Sequence, residues 1–206
     1  MKHLEIECKW DANTPRAFSR AQHFVTQTGC QIVPVSLSIK DIYLDHVNND
    51  LSAKKIALRV RNVNGKWEAT FKTRSEIING KAVRREETLP MPCVKNLTQA
   101  LQFLSQQKNW EGINTTGLQI KFTLTNKRTA YTFDYNGAQL EMALDNVTIY
   151  VLGRQIKFKE IEVELKHGST AKLEQFATAF THQTKLKRAQ ISKVKTAETF
   201  LKFWGI

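Results

Sequence analysis

Charged residues recur at two-residue spacing near both ends of the chain, and their types are those that handle cations and phosphate. Near the amino terminus Glu5, Glu7 and Lys9 alternate with Leu4, Ile6, Cys8 and Trp10. On a β-strand this puts the charged residues on one face and the apolar ones on the other. Two carboxylates about 7 Å apart on one strand face repel unless water, a cation or a basic side chain sits between them. Further along, Glu160, Glu162, Glu164 and Lys166 oppose Ile161, Val163 and Leu165, and Glu141 and Asp145 oppose Leu140, Met142 and Leu144. Arg59 and Arg61, then Lys72 and Arg74, repeat the arrangement with cations. One such strand is an ordinary solvated face. Several need contents, because carboxylates stacked in a dry interior must meet cations or metal.

Interleaved acids and bases suit a metal-bound polyphosphate. Hard divalent cations take carboxylate oxygens, and Arg and Lys pair with phosphate oxygens in charge-assisted hydrogen bonds. Mg²⁺ or Mn²⁺ is the expected ion, since the acids offer only oxygen and the five histidines are scattered. No GxxxxGK loop is present, so P-loop chemistry is excluded.

The elements that must position these residues follow from periodicity. About eight alternating strands each carry one charged or polar face and one apolar face, punctuated by Asn-Gly hairpin signals at Asn64-Gly65, Asn79-Gly80 and Asn136-Gly137. Three helices are predicted, over Pro15 to Gly29, from Asn96, and from Ser169 or Thr170, each with an apolar stripe. The segment around Glu111 to Gly117 reads as a loop. If the helices cover the apolar faces, the charged faces point at one another. The expectation is an α+β fold: an eight-stranded antiparallel closed β-barrel with a charged interior and helices packed on the outside. Periodicity leaves open whether Arg84 and Glu86 or Arg85 and Glu87 face inward.

The chain has 206 residues, enough for one domain spanning 1–206, its basic segment 185–206 forming a docked helix. With 31 Lys+Arg against 19 Asp+Glu the formal charge is +12, which points to anionic partners. Cys8, Cys30 and Cys93 are widely spaced and odd in number, which argues against a disulfide framework or zinc site. A reducing, cytoplasmic setting follows. There is no signal-peptide h-region and no apolar run of about 18 residues, so neither secretion nor membrane spanning is expected. Phe200, Phe203 and Trp204 at helical spacing suggest a docking helix or a homodimer contact.

With these residues in place the chain resembles a known family, the CYTH or triphosphate tunnel metalloenzymes. Its ExExK is intact as Glu5, Glu7 and Lys9, and the likeness continues through LRVR, the TFK strand, Arg84 with Glu86, Arg128, LEMALD and EIEVE to Ser192-Lys193. The carboxyl half looks most like the bacterial inorganic triphosphatases. Two departures stand out: YLDHV keeps Tyr43 and Asp45 but lacks the family's Thr-Pro, and no Arg-Gly follows Lys193. The resemblance implies a tunnel in which Lys9, Arg59, Arg61, Lys72, Arg74, Arg84, Arg128 and Lys193 contact phosphate. Glu5, Glu7, Glu141, Asp145, Glu160, Glu162 and Glu164 would hold Mg²⁺ or Mn²⁺, with Glu5, Glu7, Lys9, Glu162 and Glu164 closest to the chemistry. The expected reaction is hydrolysis of inorganic triphosphate. A class IV-type adenylyl cyclase or thiamine triphosphatase in the same tunnel, and a non-catalytic polyphosphate or RNA-binding module, are the alternatives.

Overall fold

In the computed structural model, strand and helix periodicities separate along the chain as the side-chain pattern requires. The structure describes residues 2–73, 76–78, 81–189 and 191–203, with side chains described for all of these except 2–4, 30–31, 76–78, 81–82 and 84. In order come β1 (Lys2–Asp11), α1 (Ala17–Thr28), β2 (Cys30–Asp45), α2 (Asp50–Ala53), β3 (Ala57–Val63) and β4 (Lys66–Lys72). Then follow β5 (Glu76–Ile78), β6 (Lys81–Met91), α3 (Leu97–Gln106), β7 (Asn109–Trp110) and β8 (Ile113–Asn114). The carboxyl half holds β9 (Gln119–Tyr135), β10 (Ala138–Val151), β11 (Arg154–His167), α4 (Thr170–Thr184), β12 (Arg188–Ala189) and α5 (Lys193–Phe203).

Two of the predicted turns form as hairpins. Asn64 and Gly65 join β3 to β4 with φ of 48° and 90°, and Asn136 and Gly137 join β9 to β10 with φ of 49° and 80°. Both central residues of such a turn need positive φ, which Asn and Gly tolerate. Asn79-Gly80 lies outside the described residues. Leu152 and Gly153 turn β10 into β11 with φ of 47° and 74°, a geometry that a leucine does not advertise in sequence. The stretch read as a loop near Glu111 contains the short β7–β8 hairpin. Helix α1 begins at Ala17 after Arg16 in the left-handed region, with no side-chain cap at its start.

The expected closed eight-stranded barrel is corrected. The strands form a ten-stranded antiparallel sheet in the order β12-β1-β11-β10-β9-β2-β3-β4-β6-β5, which leaves β12 and β5 as edges. The sheet curls far enough for β1 to pair β6 as well, but only over Lys2–Glu7, while β11 takes Glu7–Asp11. The two partners therefore share a single β1 residue, Glu7, instead of flanking the strand along its length. Alternation tells which side chains share a face; it carries no information on strand number or on whether edges meet.

Helices α1 and α4 cover the outer face of β1, β11, β10 and β9 around Trp10, Phe24, Phe133, Phe176 and Phe180. Helix α3 covers β2, β3 and β4 through Ala100 and Leu104 against Ile42, Val60 and Phe71. Helix α5 departs from the expectation that all helices lie outside. Its Ala197, Val194 and Leu201 pack on Tyr43, Phe122, Leu124, Val147 and Ile149. By strand parity these share the face of Arg128 and Asp145, so the inner face turns apolar at one end and that end recruits a helix. Phe203 is 82 % exposed and takes no part in the docking, and Trp204 lies outside the described residues. Among the described residues no helix is long and apolar enough to cross a membrane.

Candidate active site

The inner face of the curled sheet encloses a cavity of about 1270 Å³. Strand parity delivers its lining: Glu5, Glu7 and Lys9 from β1, Arg59 and Arg61 from β3, Lys72 from β4, Glu86 from β6, Arg128 from β9, and Glu162 and Glu164 from β11. Glu86, not Glu87, faces inward; Arg85 turns away to Glu87 at 3.0 Å and Glu111 at 3.1 Å. Arg74 and the Arg84 side chain lie outside the described residues, although the Arg84 backbone is in register with Glu5.

Three charge groups occupy this face. In the first, Glu162 accepts from Lys9 Nζ at 2.5 Å, Arg128 Nη2 at 2.7 Å and Lys193 Nζ at 2.9 Å. Asp145, wholly buried, takes the Arg128 fork, Nε to Oδ1 and Nη2 to Oδ2, both at 2.7 Å. Lys193, the first residue of α5, also reaches Asp145 at 3.0 Å and pairs with Glu160. The second group links Glu5 to Lys72 at 3.0 Å, Lys72 to Glu86 at 2.5 Å, and Glu86 to Arg59 at 3.9 Å. It continues to Asp41, which holds Arg61 through both carboxylate oxygens at 2.6 and 2.8 Å. In the third, Lys166 joins Glu164 at 2.9 Å and Glu141 at 3.6 Å. Glu7 lies between the first and the third, 3.3 Å from Lys9 and opposite Glu164 in register.

The electrostatics follow from burial working against charge. Burial alone would raise the Asp145 and Glu162 carboxyls, but Lys193 and Arg128 hold Asp145, and Lys9 and Arg128 hold Glu162, below the usual carboxylate range. Glu164 goes the other way: burial, with Glu5 and Glu141 nearby, raises it against the pull of Lys166. Burial lowers the Arg128 guanidinium, yet Asp145 and Glu162 lift it well above its ordinary value, so it stays charged.

The seven acids expected to hold metal do not form one cluster. Carboxylate oxygens of Asp145, Glu160 and Glu162 lie within 4.8 Å of one another. Glu5 and Glu7 line the cavity beside cations, and Glu141 and Glu164 sit with Lys166. The clustered three fit a hard divalent cation in donor type and spacing. Lys193 and Arg128 bond to oxygens of the same set, so an ion there must share or replace the Lys193 contacts. Asp41 was missed by the sequence reading, although its parity with Tyr43 and Asp45 put it on a common face. Asp45, in contrast, does not point at this chemistry; it accepts from the Leu51 and Ser52 backbone N–H groups and anchors α2.

Residues 3–197, nearly the whole chain, match the CYTH domain family. The chain belongs to that family. The CYTH match agrees with the resemblance carried by Glu5, Glu7, Lys9 and the strands that follow. Among curated proteins, the inorganic triphosphatase of Haemophilus influenzae is 25 % identical over 160 residues, covering 78 % of this chain. The match spans 45 % of that relative's length. Among solved structures, a candidate adenylyl cyclase of Hippeastrum with a dominant triphosphatase activity superposes with a TM-score of 0.66 at 16 % identity, over 95 % of both chains. The Mimivirus capping-enzyme triphosphatase superposes with a TM-score of 0.54 at 15 % identity, over 88 % of this chain and 90 % of that one. At these identities the structural likeness speaks for the CYTH fold alone.

Proposed function

We propose that this CYTH protein is a divalent-cation-dependent hydrolase of triphosphate substrates, with inorganic triphosphate, cleaved to diphosphate and phosphate, as its favoured substrate. The observation that carries this reading is the meeting of Lys9, Arg59, Arg61, Lys72 and Arg128 with Glu162 on the cavity wall, where buried Asp145 and Glu160 place carboxylate oxygens within 4.8 Å of its own. A polyanion escorted by a cation satisfies both sets at once, whereas a bare anion or a bare cation satisfies one. The triphosphatase names of the relatives point the same way.

In this reading the guanidinium and ammonium groups bind the substrate's phosphate oxygens and offset the charge spread over the transferring phosphoryl group. Asp145, Glu160 and Glu162 hold Mg²⁺ or Mn²⁺, which when bound polarises phosphoryl oxygens. Glu162 also fixes Lys9 and Arg128 in place. Glu164, whose proton affinity is raised, orients the attacking water and accepts its proton.

The test is incubation of the purified protein with Mg²⁺ or Mn²⁺ and either tripolyphosphate or ATP. Orthophosphate release from tripolyphosphate supports the proposal. Cyclic AMP from ATP without orthophosphate would replace it with a cyclase, and binding without turnover would replace it with a polyanion-binding module.

A further inference from the structure

Asp41 is 1 % exposed and is used by neither the phosphate-binding nor the metal-binding set assigned above. It lies on β2 directly opposite Arg61 of β3, with uncharged Leu124 of β9 on its other side. Its two oxygens take the Arg61 fork at 2.6 and 2.8 Å, and Oδ2 lies 3.5 Å from Arg59 Nη1. Arg59 and Arg61 are neighbours on one strand face, about 7 Å apart along the strand, where like charges repel. One carboxylate between them offsets part of that repulsion, sets the Arg61 plane through the fork and draws one Arg59 nitrogen toward it. Arg59 also donates to the Tyr43 hydroxyl oxygen. Arg59 keeps a buried Nε–H that has no acceptor among the described residues, so its guanidinium is oriented without being used up.

We propose that Asp41 is a positioning residue that fixes Arg59 and Arg61 as a two-guanidinium clamp for the phosphate oxygens of the substrate. The inference rests on the triphosphate reading of the cavity. A paired carboxylate beneath an anion site carries an electrostatic penalty, since it lowers the positive potential that the substrate meets. Keeping it there is useful only if orientation outweighs that loss, as fork-shaped recognition of phosphate requires.

The opposing signs make the test decisive. Asp41→Asn keeps the side-chain shape and makes the cavity one unit more positive. If Asp41 only offsets charge, tripolyphosphate should bind this variant more tightly. If it positions the clamp, calorimetric Kd for tripolyphosphate should rise about tenfold and kcat/KM fall by about 10²-fold despite the added positive charge. Arg61→Lys, which keeps the charge and loses the fork, should shift both in the same direction, and the double variant should be no worse than the weaker single one. A cooperative thermal transition in each variant separates these effects from unfolding, and the Arg61→Lys result stands if Asp41→Asn fails to fold. Wild-type turnover with unchanged or tighter binding by Asp41→Asn overturns the inference alone. A wild-type protein that binds no triphosphate overturns the functional reading and this inference with it.

Discussion

Glu162 is the acceptor on which the cavity's cations converge, with Lys9, Arg128 and Lys193 all donating to it. Glu162→Gln keeps the shape but removes the charge that the three donors share. Turnover should fall by about 10²–10³-fold, as for other preorganised charge-stabilising groups, read as kcat at saturating tripolyphosphate. Wild-type kcat in this variant would remove Glu162 from the machinery. Asp41 supplies a second expectation. Burial opposes its charge, yet Arg59 and Arg61 hold its carboxyl at about 2 against an ordinary 3.8. A carboxyl depressed in the folded state adds stability that is complete above about pH 4 and lost as pH falls toward 2, here about 2 kcal/mol. Asp41→Asn should therefore flatten this part of the stability profile, measured by urea unfolding between about pH 2 and pH 6. That Glu162 faces the cavity was legible from the alternation of EIEVE. Asp41 was not, because its immediate neighbours on that face of SIKDIYLD are uncharged Ile39 and Tyr43, and alternation names a face without naming what lies across it.

At the scale of elements, caps and junctions are set by contacts that local sequence does not display. Arg16 takes a left-handed turn before α1, and Asp45, which shares parity with Tyr43, anchors α2 instead of lining the cavity. The junction between β11 and α4 depends on Gly168, at φ 107°, where a Cβ would meet the Ala138 Cβ at 2.9 Å and its Cα at 3.0 Å. Both obstacles are rigid, and the backbone angle is one that side chains resist. Gly168→Ala should destabilise by about 1–3 kcal/mol, visible as a lowered thermal midpoint. An unchanged midpoint would mean that the junction shifts freely. Helix α5 was anticipated as an outer covering. Its actual place follows from Phe122, Leu124, Val147 and Ile149, which continue the inner face in apolar residues beyond Arg128 and Asp145.

For the whole molecule, the strands and their inner residues could be read from alternation, while closure and strand number could not. Ring closure depends on how far strands twist and stagger, and here β1 meets β6 and β11 over different halves. The buried acids make a further global expectation. A divalent ion bound to Asp145, Glu160 and Glu162 stabilises the folded state by mass action, about 2.7 kcal/mol at a hundred times its dissociation constant. Mn²⁺ should raise the thermal midpoint, EDTA should reverse it, and Asp145→Asn should abolish the shift; an equal shift in that variant would place the ion elsewhere.

The division of labour on Glu7 reaches into how the protein is made. Lys9 and Glu162 are 153 residues apart in the chain, and the only β1 residue touching both sheet partners lies two positions from that pair. During synthesis Lys9 of the amino-terminal strand must wait for β11 before it can meet Glu162, whereas Glu5 of the same strand pairs with Lys72 of β4. Contacts this distant in sequence form slowly, since loop closure precedes any gain from them. Completion of this side of the cavity and completion of the fold are thus one event, because a chain still lacking β11 has no Glu162 to meet Lys9 and Arg128.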